Sequence, residues 1–599
     1  MSRRYHLVLG LSVITALSLY LACSGSKDSI YIPDAAPNVI NNSVWKFGVM
    51  GDTQWLTTAA YDTANNPNST CVQSIKQMNQ QFINHGVDFV IQVGDLKDTS
   101  ANGDHLITTS KYRQDLYNAG IGFFPVRGNH EADSTGFGTD DALKVNVTRF
   151  LEVFPQTRDG VMNNLPASVL NATDSAGSVS KTSQATFKVG DNFSSPTNAG
   201  GADYTGLSYS FTHKNATFVL LDQFPAKGVS HGVNDAIRHQ QTWITDRLSN
   251  KPSGNHAFVM AHKGLVHENH TDVLFGSNPS TGAEYQTTFI NSLYNNGVKY
   301  FQSGHDHMHS RSMFKAATGN AEVMQLTSAS CSMKFYVPLA TAPDAVQPPT
   351  NAYPGRQTML QQHLYTMGYY IYTIDGNNVT VDYYTSQPMV NWADNHNAGY
   401  SDIADIFVVP QMTFAKADTW GYNLNGTQKL VQQNGAYNVV QDGKAKILSG
   451  ISTYNKKDGE PGRAGNGTTV VNQRQMSHLV TTGWTPKTDG LLSDIFTIWG
   501  MANEVKSVQT DTYCLSMTYD VTQVSDDLAR TGQVGIATRG DSTWVNAVSK
   551  NIGGATKFVE GAYNQSTHTL GTWGVDTSTK TFWAVINYNA DFAIASKIL

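Results

Sequence analysis

The chain has 599 residues, 15% of them charged, with 51 glycines and only four cysteines. One hydrophobic core stops growing well below that length, so two or three domains are expected, and a content of 40% apolar and 10% aromatic residues excludes a disordered linker or tail. The 41 basic side chains against 47 acidic ones leave a formal charge of −6 with no dense Lys/Arg block, which argues against a dedicated nucleic-acid binder.

At the N-terminus, Arg3 and Arg4 precede an apolar run from Leu7 to Ala22 that is short for a membrane span and is followed at once by Cys23, Ser24, Gly25 and Ser26. Residues 1–22 read as a signal peptide. The end of the run, Leu21-Ala22-Cys23, resembles a bacterial lipoprotein signal, although Tyr20 stands where that pattern usually has Leu. The resemblance implies cleavage before Cys23, a lipid on that residue, and a polar tether over 23–40, hence an exported protein anchored to a membrane or the cell surface of the bacterial envelope. The remaining cysteines, Cys71, Cys331 and Cys514, show no metal-ligand spacing and allow at most one disulfide.

Folding starts with an apolar run at Trp45–Met50. Then come a helix over 71–85, a strand over 87–93, a helix over 111–119 and a strand over 122–126, an alternation that predicts an α/β layered domain with ligands at the strand ends. Further strands are expected at 217–221, 257–260 and 299–301, with a helix at 235–248. Residues 156–210 read as a Ser/Thr/Asn/Gly-rich insertion placed to cover a substrate. Tyr369–Thr373 and Val379–Tyr384, joined by Asp375-Gly376-Asn377, predict a hairpin that closes the first domain near residue 395. Beyond it, residues 396–599 read as a β-rich accessory domain, with strands at 512–517, 532–537 and 581–586 and at most a short turn at 526–531. Gly553-Gly554 and Gly571-Thr572-Trp573-Gly574 look like turns, and aromatics there suit either a core or contact with glycan.

The chemistry gathers at strand ends. Gly51-Asp52-Thr53-Gln54 follows the first strand, Gly94-Asp95-Leu96-Lys97-Asp98 the second, and Gly128-Asn129-His130-Glu131 the third; Ala261-His262 and Gly304-His305-Asp306-His307 follow two later strands. Each string alone is an ordinary turn. Five in order, each directly beyond an apolar strand, supply the Asp, Asn and His mixture that holds two divalent metals through a shared carboxylate, an arrangement suited to activating water and clamping phosphoryl oxygens.

On these motifs the chain resembles the calcineurin-like metallophosphoesterase superfamily over about residues 45–385. The resemblance implies a β-sandwich flanked by helices with a two-metal centre of iron, manganese or zinc. Carried over residue by residue, Asp52 and His307 bind the first metal, Asp95 bridges both, and Asn129, His262 and His305 bind the second. Gln54 departs from the family's usual His and offers at most a neutral amide oxygen to the first metal. His130 is implied to stand at the leaving group with Asp98 orienting it, while water activated by the metals attacks, so no protein nucleophile is needed. Thr99 replaces the arginine of the protein Ser/Thr phosphatase branch, and the tyrosine of the purple acid phosphatase metal motif is missing after Asp95, so the subgroup stays open.

Several neighbours are ambiguous at this level. Arg127 suits phosphate binding, and either Arg127 or Glu131 a structural ion pair; His309 suits a supporting, a surface or a directly ligating position, and His267-Glu268-Asn269-His270 suits a hydrated loop or one that sorts substrates. The expected function is metal-dependent phosphate-ester hydrolysis with phosphomonoesters first. The alternatives are a nucleotide or cyclic-nucleotide phosphodiesterase and a surface binding protein with a site weakened at Gln54.

Overall fold

The structure, a computed structural model, describes residues 44–598 except 56–65, 99–104, 133–139, 163–186, 225–235, 267, 269, 271, 277–278, 333–355, 364–365, 387–410, 426–429, 434–435, 440–444, 456–469, 476–482, 485–489, 499–511, 541–542 and 597. The expected signal peptide and tether lie outside the described residues. Among those described, no helix is long and apolar enough to cross a membrane.

Two mixed sheets form the first domain. In the first, β1 (Val44–Met50), β2 (Phe89–Gln92) and β3 (Gly122–Pro125) run parallel. The small pair β4 (Val161–Met162) and β5 (Phe187–Lys188) stands apart. The second sheet holds β6 (Asp191–Ser194), β7 (Tyr209–His213), β8 (Ala216–Leu221), β9 (His256–Ala261), β10 (Tyr300–Ser303), β11 (His309–Lys315), β12 (Glu322–Thr327) and β13 (Gln357–His363), in the order β13-β11-β12-β10-β9-β8-β7-β6. Then β14 (Gly368–Asp375), β15 (Asn378–Ser386) and β16 (Phe414–Asn423) return to the first sheet, giving β16-β15-β14-β1-β2-β3.

Strand alternation explains the layering. Phe47, Phe89, Phe218 and Phe258 point into the space between the sheets, where Phe47 meets Phe218 at 5.0 Å and Phe258 at 5.1 Å between ring centroids. Their neighbours Met50, Val90 and Phe123 face outward onto the helices Val72–His85 and Gln114–Asn118 through Met78, Phe82 and Leu116. On the other side, Val219, Leu221, Ala257 and Val259 face the helices Ala236–Ser249 and Pro279–Asn295 through Ile244, Leu248, Phe289 and Leu293. A period of two thus serves two cores at once, and the result is a helix–sheet–sheet–helix stack. This is the expected α/β sandwich flanked by helices.

Three local expectations need correction. The helix expected over 111–119 is two, His105–Tyr112 and Gln114–Asn118, broken at the buried Arg113, whose Nη1 and Nη2 donate to Asn79 at 3.0 Å and Gln92 at 2.6 Å. The hairpin β14–β15 does not close the sheet, because β16 pairs antiparallel with β15 from Asn378↔Asn423 to Ser386↔Phe414. The first sheet therefore extends past residue 395, and β16 buries Trp420 and Tyr422 in the same core. Finally, part of the stretch read as an insertion, β6 and the start of β7, is the edge of the second sheet.

The C-terminal region is β-rich as expected. A six-stranded sheet contains Ala445–Asn455, Tyr513–Thr518 and Thr581–Ile586, and a five-stranded one contains Ile495–Ile498, Val534–Arg539 and Ala590–Ser596. Asp526–Arg530 is a short helix capped by Ser525. Trp573 lies within the strand Thr572–Asp576 and is buried, so the aromatic of that glycine-rich stretch serves the core. Cys71, Cys331 and Cys514 are buried thiols with no disulfide among the described residues.

Candidate metal centre

All five motifs meet at one edge of the sandwich, beyond the C-terminal ends of the parallel strands β1, β2, β3, β9 and β10, the end at which open α/β sheets carry ligands. Asp95, His262 and His305 form one group of donor atoms, and Asp52, Asp95 and His307 form a second; within each, the atoms lie within 4.8 Å of one another. Asp95 is common to both. The five side chains are buried, with Asp52, His262 and His307 at zero exposure.

Backbone shape makes this convergence. Asp95, His305 and His307 have φ of 47°, 71° and 50°, the left-handed region that side chains rarely adopt. Such conformations cost energy and persist where the surroundings hold them, as at functional sites. Glycines supply the room: a Cβ at Gly128 would come 2.0 Å from Asp95 Oδ1, and one at Gly94 would come 2.4 Å from His262 Nδ1.

The hydrogen bonds set the histidine tautomers. His262 Nδ1 donates to the Val93 carbonyl at 2.8 Å, which turns Nε2 toward Asn129 Oδ1 at 2.8 Å and Asp95 Oδ1 at 3.3 Å. His307 Nε2 lies 2.9 Å from the Gln54 amide and 3.8 Å from Asp52 Oδ1, with Nδ1 facing the Ser330 hydroxyl at 3.5 Å. The His305 backbone N–H donates to both Asp52 oxygens, at 3.2 and 3.1 Å. All seven residues expected as ligands thus come together, with Gln54 meeting the first group through its amide nitrogen, 2.9 Å from His307 Nε2.

Electrostatics agree with a cation site. Burial, then repulsion from Asp95, raises the Asp52 carboxyl to about 8, even though His262 pulls it down. Burial works against ionising Asp95 too, yet the imidazoles of His262 and His130 hold it well below the usual carboxylate range. Burial disfavours the His262 imidazolium, but the Asp95 carboxylate more than offsets this and lifts it to about 9. His305 is pushed down to about 3 by burial and the neighbouring His270, which leaves it neutral and able to donate a lone pair. Two desolvated carboxylates, three imidazoles and the Asn129 amide oxygen form a donor set that divalent transition metals fit, because positive charge favours the ionised form of buried carboxylates.

His130 differs from the residues of the two donor groups in being partly open, with a side-chain exposure of 23%. Its Nδ1 donates to the Asp98 main-chain carbonyl, while the Asp98 carboxylate stands 3.7 Å away. Asp98 thus meets His130 through its backbone carbonyl rather than through the carboxylate expected to orient the ring. The His130 N–H also donates to Asp95 Oδ1 at 3.0 Å.

Other residues acquire definite places. Glu131 accepts from Leu96 N at 2.9 Å, Lys97 N at 3.3 Å and Gly128 N at 2.8 Å, clamping the Asp95 loop to the Asn129 turn. Arg127 forms a fully buried ion pair with Asp222 at 2.5 Å. Asp306, unassigned in its motif, accepts from the backbone N–H of Glu268 at 3.0 Å and of His270 at 2.9 Å, so the loop after His262 is held by side-chain to backbone bonds. His309 is buried against Asp418 and Tyr370 and is neither a ligand in either group nor a surface residue. Asp272, which carried no signal in the sequence, reaches His305 Nε2 at 3.3 Å.

Comparison with known proteins places this geometry. Residues 46–309 match the family model described as calcineurin-like phosphoesterase. This segment is a calcineurin-like phosphoesterase domain. The chain beyond it supplies β12 to β16 and the β-rich C-terminal sheets. Among solved structures, the chain is similar to a purple acid phosphatase from yellow lupin (Lupinus luteus) seeds, with 15% identity, a TM-score of 0.32, and coverage of 57% of this chain and 51% of that one. It is also similar to GAP50, the anchor in the inner membrane complex of Plasmodium, with 15% identity, a TM-score of 0.32, and coverage of 57% and 85%. A dimetal phosphatase from Danio rerio follows with 13% identity, a TM-score of 0.30, and coverage of 56% and 95%. The chain therefore spans about half the length of the lupin protein. No curated protein matches the sequence.

Proposed function

We propose that the protein hydrolyses phosphate esters, phosphomonoesters first, with two metal ions held at the phosphoesterase domain. The observation that carries this reading is the sharing of Asp95 by two buried donor groups. Asp52, Gln54, Asp95 and His307 would hold one ion, and Asp95, Asn129, His262 and His305 the other. When bound, such a pair activates water and neutralises phosphoryl oxygens.

The chain's own residues do the rest. Val93 and Ser330 orient the His262 and His307 rings, and Glu131 keeps the Asp95 and Asn129 loops in register. His130 Nδ1 must carry a proton, because the Asp98 carbonyl can only accept. In the imidazolium form, its Nε2–H is then the proton available to the leaving oxygen, and its partial exposure lets substrate reach it. Among the described residues, the two donor groups set two carboxylates, Asp52 and Asp95, against two divalent charges, a surplus of positive charge that suits the dianion of a monoester better than the single charge of a diester.

Export and lipid anchoring through Cys23 belong to the same proposal, supported by the Arg3-Arg4 start, the apolar run to Ala22 and the Leu21-Ala22-Cys23 string. The test of function is to load the purified protein with iron, manganese or zinc and compare turnover of a chromogenic phosphomonoester with that of the matching diester. Faster monoester hydrolysis is expected. A diester preference would shift the substrate class, and no turnover with any ion would refute the hydrolase.

A further inference from the structure

We infer that Asp272 is a positioning residue that fixes which ring nitrogen of His305 faces the second donor group, a role that rests on the phosphoesterase reading above. Asp272 Oδ1 lies 3.3 Å from His305 Nε2, and its other oxygen is held by Lys263 Nζ. An ionised carboxylate only accepts, so Nε2 carries the imidazole proton and Nδ1 retains its lone pair. The His305 ring is otherwise enclosed: it lies 4.9 Å from the His262 ring and 4.0 Å from that of His270, and its backbone N–H is tied to Asp52. Asp272 sets the tautomer and rotation of a ring whose chain is already anchored.

Asp272 comes from outside the five motifs. It lies ten residues beyond His262, in a stretch pinned to the loop after β9 by the Leu274 N–H, which donates to the Gly264 carbonyl at 2.9 Å. Its side chain is about half exposed, at 49%, so it stands on the rim while His305 is buried. A carboxylate bonded to the outer nitrogen of a ligating imidazole raises the basicity of the inner one, and losing such a partner weakens metal binding by about 10–100-fold. A carboxylate that served only Lys263 would be a partly exposed ion pair whose loss leaves metal affinity nearly unchanged. The two roles therefore differ in what they do to a bound ion.

The full chain, titrated with Co2+ and followed by visible absorption and by bound metal per chain, separates them. In Asp272→Ala, one of the two ions should bind about 10–100-fold more weakly, with the unfolding midpoint close to that of the wild type. Asp272→Asn keeps an oxygen that accepts from Nε2–H and should recover most of the loss. Lys263→Met leaves the Asp272–His305 contact in place and should stay within about fivefold of wild type. The inference is overturned if Asp272→Ala takes up both ions with wild-type affinity, if Asp272→Asn is as weak as Asp272→Ala, or if Lys263→Met is as weak as either. Failure of the phosphoesterase reading looks different: the wild-type protein itself would bind no Co2+ or hydrolyse no phosphate ester.

Discussion

Arg311 on β11 and Asp418 on β16 form a buried two-point ion pair, with Nε to Oδ2 at 2.7 Å and Nη2 to Oδ1 at 3.2 Å. His309 joins it through Nε2 at 3.1 Å from the same carboxylate oxygen. β11 begins two residues after His307, so a strand from beyond the matched phosphoesterase segment braces the strand that leads away from the His305–His307 turn.

Removing Asp418 leaves the Arg311 charge buried, and Asp418→Ala should cost about 3–5 kcal/mol in denaturant unfolding of the first domain. A chain ending at residue 395 should fail to fold, whereas one ending at 425 keeps β16. The sign with pH follows from the carboxyl: burial opposes its ionisation, but the Arg311 charge and the His309 bond hold its pKa below the ordinary value. Its stabilisation is thus complete above the ordinary carboxylate range and is lost as pH falls through the lowered folded value. Asp418→Asn should flatten that acid limb; an unaltered limb would mean that other carboxylates govern acid unfolding.

His130→Ala should lower turnover by about 100- to 10,000-fold while both ions stay bound, since its side chain lies beside the donor groups but belongs to neither. Metal analysis beside kinetics checks this. Loss of metal in this variant would make His130 part of the binding site instead.

Gln54→His should tighten binding of the first ion, because an imidazole is a better transition-metal donor than an amide. Gln54→Ala should weaken it if the amide ligates. Calorimetric titration of the wild type and the two variants with Mn2+ or Zn2+ should order the affinities as histidine above glutamine above alanine at this position. Equal affinities for the wild type and Gln54→Ala would show that the amide misses the ion.

The metal-site motifs were legible because their chemistry is local: a small hard ligand directly after an apolar strand has little other reason to recur five times. Asp52, Asp95, Asn129, His262, His305 and His307 could therefore be read in order. The contribution of β16 could not, since Phe414–Asn423 reads like any strand of a β-rich region and nothing in it names β15 as its neighbour. Asp272 was equally silent, because loop spacing carries no period that would aim a carboxylate at His305. The helix Pro279–Asn295 is faint in the sequence for a related reason: Gly282 and paired threonines at 287 and 288 weaken its local signal, and burial of Phe289, Ile290 and Leu293 against the sheet maintains it.

The bridging role of Asp95 is the centre of this account, and one paired measurement tests it: bound metal per chain and phosphomonoester turnover for the wild type and Asp95→Asn under the same loading. The expected result is two ions per wild-type chain, with Asp95→Asn losing bound metal and nearly all turnover. An Asp95→Asn protein that retains both ions and full activity would contradict it.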